Sequence, residues 1–284
     1  MAENVFETIS RAYYDLTAAE KKTADYVMKH HDETQYMSIA ELADASGVAE
    51  ATVSRFCRRL GYKGYNAFKL AIANAAAVGR QEGDLLSGQI REDDSLEDMS
   101  RKLYSADLAA MAQTLERLDA DRIDAAVDCL ERAGKVLCMG QGGSMVMASE
   151  AAHLFSTVSG KFFPVSDSHS QAIAAANMEE NDALLFFSYS GATREMSETL
   201  NVARSRGAKV ILITRFPRSP GAALADVVLC CGSNESPLQL SSVPAKIAQL
   251  FLMDVLFSAF CRRDMERSRE SRARVAEALA EKHL

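Results

Sequence analysis

Five short apolar runs, at residues 135–139, 162–165, 183–187, 209–214 and 227–231, succeed one another after Gly134. They are rich in Val, Ile, Leu and Phe and lack polar alternation, which is the pattern of strands buried on both faces. Helical stretches at 144–158, 168–177 and 193–206 separate most of them. Strand–helix–strand repeats of this kind pack as a parallel sheet with right-handed crossovers and helices on both faces. The expected fold class for this part is therefore α/β: a doubly wound, five-stranded parallel sheet, closed by a long apolar helix at 244–260.

The first part of the chain has a different period. Residues 3–77 read as short helices, with an apolar period from Val5 to Tyr14 and two capping boxes, Thr17 with Glu20 and Ser38 with Glu41. The all-α N-terminal domain is thus expected at 1–77. Residues 78–95 turn to Gly, Gln, Ser and acids and read as a linker. Helical spacing returns over 96–133 as two connecting helices, the α/β domain spans 134–263, and an Arg- and Glu-rich helical tail occupies 264–284.

Within the helical domain, Gly47 supplies a tight turn between a helix from Ser38 and one from about Ala49 to Leu60. Ala43 is small where the second helix would cross, and Leu42, Val48, Val53 and Phe56 form a shared core. This is the spacing of a DNA-reading helix-turn-helix. The outward face of the second helix is then expected to present Glu50, Thr52, Ser54, Arg55, Arg58 and Arg59. Thr52, Ser54 and Arg55 are the candidates for base contact, and Arg58, Arg59 and Lys63 for phosphate contact. The net charge of −7 looks wrong for such a partner until it is resolved by position. Residues 51–80 hold Arg55, Arg58, Arg59, Lys63, Lys69 and Arg80 and no acid, whereas residues 81–284 hold 22 basic and 29 acidic side chains. A local basic footprint on an acidic chain is what nucleic-acid binding requires. A helical module for packing or dimerisation is the alternative. Ala49 stands where a capping hydroxyl would contribute about 1 kcal/mol.

In open α/β sheets ligands bind beyond the carboxyl ends of the strands. Two loops fall there: Gly140-Gln141-Gly142-Gly143-Ser144 after the first run, and Ser188-Tyr189-Ser190-Gly191-Ala192-Thr193 after the third. Each leads directly into a helix, whose positive N-terminal end favours an anion. Three hydroxyls and a glycine in six residues make a neutral, donor-rich cradle for phosphate. The first loop alone also fits a dinucleotide site or a plain tight turn. The second strand, however, ends Val165-Ser166-Asp167-Ser168-His169, and Asp167 is a poor match for an acid holding a ribose, so NAD ranks low and no cofactor is expected.

Taken together these residues resemble the sugar isomerase (SIS) fold, whose phosphate loop reads SxSGxT, joined to the helix-turn-helix of RpiR-type regulators. The resemblance covers nearly the whole chain. It rests on Ser38–Ala43, Ala51–Gly61 and Gly64–Lys69 in the first domain, and on Gly140–Ser144, Asp167–Gln171, Ser188–Thr193 and Ile247–Leu250 in the second. It implies that Ser144, Ser188, Ser190 and Thr193, with Gly142, Gly143 and Gly191 shaping the loops, hold the phosphate of a sugar, and that His169 and Gln171 line its sugar end. It implies a transcription regulator of carbohydrate metabolism genes, a repressor rather than an activator, controlled by the bound sugar phosphate and acting as a homodimer or homotetramer, and the two-fold symmetry of such an oligomer predicts operator DNA with an inverted repeat. The chain departs from the pattern at 241–246, where such regulators often carry Ser-Arg.

The remaining features exclude more than they assign. The first 25 residues have acids at Glu3, Glu7, Asp15 and Glu20 and no apolar core, unlike a signal peptide, and the apolar run 247–260 is interrupted and short for a membrane span. A cytoplasmic protein is expected. Cys57, Cys129, Cys138, Cys230, Cys231 and Cys261 show no metal spacing with the histidines and read as small buried hydrophobes, with no metal site. Isomerising a sugar phosphate needs a carboxylate or imidazole placed to move a proton. Glu179, Glu180, Glu195 and Glu198 flank the site in sequence, but acids on a helix after a phosphate loop are commonly solvent-exposed, and His169 could bind a sugar hydroxyl as easily as act as a base. Sensing without turnover is the expectation, and a sugar-phosphate isomerase or lyase is the alternative.

Overall fold

The computed structural model describes residues 4–78, 90–233 and 242–280. Arg80, most of the expected linker, Ser241 and the last four residues lie outside them. The chain divides into two compact units, residues up to 106 belonging to one and residues 107–233 with those from 243 onward to the other.

The first unit is helical: α1 (Val5–Ala12), a 3-10 turn at Tyr13–Asp15, α2 (Ala18–Lys29), α3 (His31–Thr34), α4 (Ile39–Ser46), α5 (Glu50–Arg59) and α6 (Tyr65–Val78). Both capping boxes form as the sequence predicts, Thr17 with Glu20 and Ser38 with Glu41. Gly47 ends α4 in the left-handed conformation, φ +65°, with its N–H bonded to the carbonyls of Ala43 and Asp44. Ile9, Val27, Leu42, Val53, Phe56, Phe68 and Ile72 are wholly buried, and the rings of Phe56 and Phe68 meet edge to face at 5.4 Å. The four-residue α3 is too short to leave a periodic signal and is not foreseen.

Glu20 is buried beneath this layer. It accepts from the Thr17 N–H at 2.9 Å and hydroxyl at 2.8 Å, and Arg59 lies 3.4 Å away. Burial alone would raise its pKa, but the Thr17 bonds and the Arg59 charge hold it below the usual carboxylate range.

The expected connecting helices are α7 (Leu96–Glu116) and α8 (Ala120–Arg132), the latter capped by Asp119, whose carboxylate accepts from the N–H groups of Asp121 and Arg122. The boundary between the units falls inside α7, after Ala106.

The second unit carries β1 (Lys135–Gly140), α9 (Gly143–Ser156), β2 (Phe162–Val165), α10 (Ser168–Ala176), β3 (Asp182–Phe187), α11 (Arg194–Ser205), β4 (Lys209–Thr214), β5 (Val227–Cys230), α12 (Val243–Arg263) and α13 (Met265–Ala280). All five strands fall where the apolar runs place them. They pair in parallel in the order β2-β1-β3-β4-β5. One hydrophobic layer on β1, β3, β4 and β5 packs against α8, α9 and α12, and the other face packs against α10 and α11. Phe155 of α9 lies 4.6 Å from Phe162, 5.1 Å from Phe257 and 5.5 Å from Phe260, which ties α9, β2 and α12 together. Each such ring pair contributes about 0.5–1.5 kcal/mol beyond its burial.

Helix α12 is longer than the apolar run suggested. At 21 residues it is long and apolar enough to cross a membrane by length and composition. Here Ala248, Leu252, Met253, Leu256 and Phe257 are buried in the core of the α/β unit. Cys57, Cys138 and Cys231 are buried, and burial pushes each thiol up to about 12. Cys129, Cys230 and Cys261 are half-buried. Helix α13 is exposed apart from Ser271 and a few half-buried positions, with the Arg272 guanidinium 5.2 Å from the Phe257 ring.

Candidate DNA-reading and ligand-binding sites

Helices α4 and α5 pack through Ala43, which is 2% exposed, and the Val48 N–H bonds the Ala43 carbonyl at 2.9 Å to close the turn. A larger residue at 43 would hold the helices apart. Helix α5 begins at Ala49 without a side-chain cap, as the sequence indicates. Arg55, Arg58 and Lys63 are exposed and Ser54 is half-buried.

One expectation for this face needs correction, and a second residue has a further role. Thr52 does not point outward: it is 7% exposed, on the same side of α5 as Val53 and Phe56. Its hydroxyl instead accepts from Arg55 Nη2 at 3.0 Å and so orients the arginine. Arg59 stays exposed, but its guanidinium is already engaged: it donates to the Asp15 carbonyl at 2.7 Å and lies 3.4 Å from Glu20, so it ties α5 to the segment leading into α2. Simple helical phase does not reveal the role of Arg59, because its partners Asp15 and Glu20 lie on other elements.

In the second unit the strand order reverses between β1 and β3, which are neighbours although β2 lies between them in sequence. Gly140 pairs with Phe187, so the loops that follow these two strands start side by side at the carboxyl edge of the sheet. This is the switch point at which open α/β sheets bind ligands. Gly142 takes φ +54° and α9 starts at Gly143. The Ser144 and Met145 N–H groups bond the Gln141 and Gly142 carbonyls at 3.1 Å, so these two amides are engaged within the turn, beside the Ser144 hydroxyl and the positive end of α9.

The second loop is tightly determined. Ser188 is buried and its hydroxyl accepts from the Gly191 N–H at 3.2 Å, while exposed Ser190 accepts from the Ala192 N–H at 3.3 Å. Gly191 sits at φ +58°, and a Cβ there would fall 2.1 Å from Ser219 Oγ. Its carbonyl accepts from the Gly221 N–H at 2.8 Å. Ser219, Gly221 and Thr214 therefore brace the loop from the far side, a role sequence reading missed because they lie at the end of the next strand and beyond it. Thr193 caps α11 with no side-chain bond to the helix, and its Oγ1 is buried without a hydrogen-bond partner. A buried hydroxyl left so is costly unless something accepts from it.

Gln171 is also corrected. It is wholly buried and cannot line a sugar. Its Nε2 donates to the Gly140 carbonyl at 2.9 Å and the Val165 carbonyl at 2.8 Å, and its Oε1 accepts from Gln141 Nε2 at 2.8 Å. The two carbonyl bonds clamp the tips of β1 and β2, and the amide also meets Met145 Sδ at 3.8 Å. His169 is exposed in the first turn of α10. Asp167 caps that helix, and hydrogen bonds from Ser170 and His169 hold its carboxyl below the usual carboxylate range.

The acids near the site in sequence are scattered in space. Glu179 and Glu180 precede β3, at the opposite edge of the sheet and a strand length of about 20 Å from the loop that follows it. Glu198 is ion-paired with Arg194 at 2.8 Å, and Glu195 is exposed on α11. The arrangement supplies hydroxyl donors and two helix N-termini at one edge, which is binding chemistry for an oxyanion.

A helix-turn-helix module followed by a doubly wound domain with a hydroxyl-rich loop at its switch point defines a two-domain transcription regulator. Residues 3–79 match the helix-turn-helix domain of the rpiR family, and residues 129–259 match the SIS domain. The chain is 30% identical over 278 residues to the HTH-type transcriptional regulator HexR of Escherichia coli, covering 98% of this chain and 95% of that one. With HexR of Pseudomonas aeruginosa it shares 32% over 254 residues, 89% of this chain and 88% of the other. The fold matches the Vibrio vulnificus NanR protein complexed with ManNAc-6P, with a TM-score of 0.86 at 24% identity over 99% of both chains. The chain belongs to the RpiR family of HTH-type, DNA-binding transcriptional regulators, with a C-terminal SIS domain.

Proposed function

We propose that this regulator is a repressor of carbohydrate metabolism genes whose operator affinity is set by a phosphorylated sugar bound at the carboxyl edge of β1 and β3. The observation that carries the reading is Thr193 Oγ1, a buried hydroxyl with no partner in the SxSGxT loop, beside Ser188 and Ser190 and at the positive end of α11. A phosphate oxygen is the acceptor it lacks. The ManNAc-6P held by NanR makes amino-sugar phosphates the first probes. Ser144 completes the cradle from the loop after β1, and His169, exposed in the first turn of α10, is the candidate partner for a sugar hydroxyl. The regulator binds its effector without turning it over, since the nearby acids serve as ion pairs, surface charges or neighbours of the far edge.

On the DNA side, Ser54 and Arg55 read bases while Arg58 and Lys63 hold phosphates. A two-fold symmetric homo-oligomer, dimer or tetramer, then selects an inverted repeat with half-sites about one helical turn, or a multiple of it, apart. A coupling of about 1–3 kcal/mol between the two sites changes operator affinity roughly 5- to 150-fold.

A thermal-shift series with phosphorylated hexoses, pentoses and amino sugars tests the pocket. One phosphosugar is expected to stabilise the chain by about 2.7 kcal/mol at a hundredfold excess over its Kd. Thr193→Val, which keeps the shape and removes the hydroxyl, should cost at least tenfold in that affinity while leaving the unliganded melting temperature unchanged or raised. Equal binding by Thr193→Val would remove the cradle reading.

A further inference from the structure

Ser233 is the one residue other than glycine that takes a positive φ among the described residues, at +79°. A side chain is disfavoured in that region, and such residues persist where their surroundings over-determine them. Here both sides of the residue are fixed. Its carbonyl accepts from Tyr189 Oη at 3.1 Å and from Arg215 Nε at 3.0 Å, and its N–H donates to Gln113 Oε1 at 3.1 Å. The preceding N–H, of Gly232, donates to Thr114 Oγ1 at 2.8 Å, and that hydroxyl donates in turn to the Ala110 carbonyl at 2.7 Å. Gly232 itself is pressed onto α7, where a Cβ would come within 2.5 Å of Gln113 Cβ and 2.7 Å of the Thr114 nitrogen.

Tyr189 stands between Ser188 and Ser190. Its backbone carbonyl accepts from the Arg215 N–H at 3.0 Å and from Thr214 Oγ1 at 3.1 Å, and its ring meets Phe216 edge to face at 5.8 Å. The tyrosine is thus held at both ends, by its main chain in the phosphate loop and by its phenol on Ser233. Ser233 in turn is held on α7, a single helix whose first residues, from Leu96, belong to the N-terminal unit.

We infer that the pair Gly232-Ser233 is a relay: it passes the state of the SxSGxT loop, through Tyr189, to residues 110–114 of α7. The inference rests on the effector reading above and adds the path by which occupancy leaves the pocket. When the loop closes on phosphate, the Tyr189 main chain shifts with its serine neighbours, the phenol carries the Ser233 carbonyl, and the two N–H bonds carry α7. A helix transmits such a displacement along its length because its backbone bonds are stiff. The physical requirement is that the strained Ser233 conformation be favoured differently in the empty and filled states.

Hydrogen–deuterium exchange of the full chain, with and without saturating inorganic phosphate, tests this with the fragment that every phosphosugar shares. In the wild type, phosphate is expected to slow exchange both in peptides covering 188–196 and in peptides covering 108–116. In Thr114→Val and, separately, in Tyr189→Phe, the loop response should persist while the α7 response falls at least threefold. An α7 response that survives in both variants, or that never occurs although the loop is protected, overturns the relay and leaves the cradle standing. No protection of the loop itself overturns the cradle and the relay together.

Discussion

Gly191→Ala is expected to cost the α/β unit about 3 kcal/mol and to abolish phosphosugar binding. Two independent effects add. An L-residue at φ +58° carries a backbone penalty of about 1–2 kcal/mol, and forcing a methyl into filled space costs roughly 1–3 kcal/mol more. The space is filled by Ser219, whose Oγ and Cβ would lie 2.1 and 2.7 Å from the new carbon. The loop must move as a body to relieve this, and it carries Ser188, Ser190 and Thr193. A melting curve should fall by roughly 6–12 °C for a unit of this size. Adding Ser219→Gly removes both colliding atoms, so the double variant should recover the packing part and retain the backbone part. A Gly191→Ala chain that melts with the wild type would mean the loop is not braced by Ser219.

Gln171→Leu should be at least as damaging although it changes a polar side chain for an apolar one of similar volume in a buried site. The carbonyls of Gly140 and Val165 lose their donor and Gln141 Nε2 its acceptor. Each buried group left unpaired costs about 1–3 kcal/mol, so a loss of about 3–5 kcal/mol is expected by denaturant titration. Because those carbonyls sit at the tips of β1 and β2, effector affinity should fall as well. A loss below about 1 kcal/mol would show that the amide is not clamping the strand tips.

These two residues also mark where sequence reading succeeds and where it stops. The sheet was legible because each strand is a compact apolar run and each is buried on both faces, so pattern and environment coincide. Helix starts at Thr17 and Ser38 were legible because a capping box is local. Gly191 was legible as a loop glycine, yet its need for Ser219 was not, since the bracing side chain arrives from beyond β4. Gln171 was placed in the right neighbourhood with the wrong role: a glutamine beside a ligand loop can face the ligand or the backbone, and only the position of the Gly140 and Val165 carbonyls decides between them. Thr52 failed for a related reason. Helical phase puts it at the margin between the inner and outer faces of α5, and the packing of neighbouring elements, not the helix itself, settles on which side it falls. Arg59 counted as one more cation in a basic run, while in three dimensions Glu20 and the Asp15 carbonyl claim it.

The most direct test of the whole account is operator affinity measured with and without effector. DNA selected from a random library by the full chain should contain an inverted repeat, and its affinity should fall steeply with salt because arginine and lysine contacts displace counterions. The phosphosugar found by thermal shift should change that affinity roughly 5- to 150-fold in the wild type and leave it unchanged in Thr193→Val. If selected DNA binds equally well whether or not the stabilising phosphosugar is present, the two sites are not coupled and the chain is not the sugar-phosphate sensor proposed here.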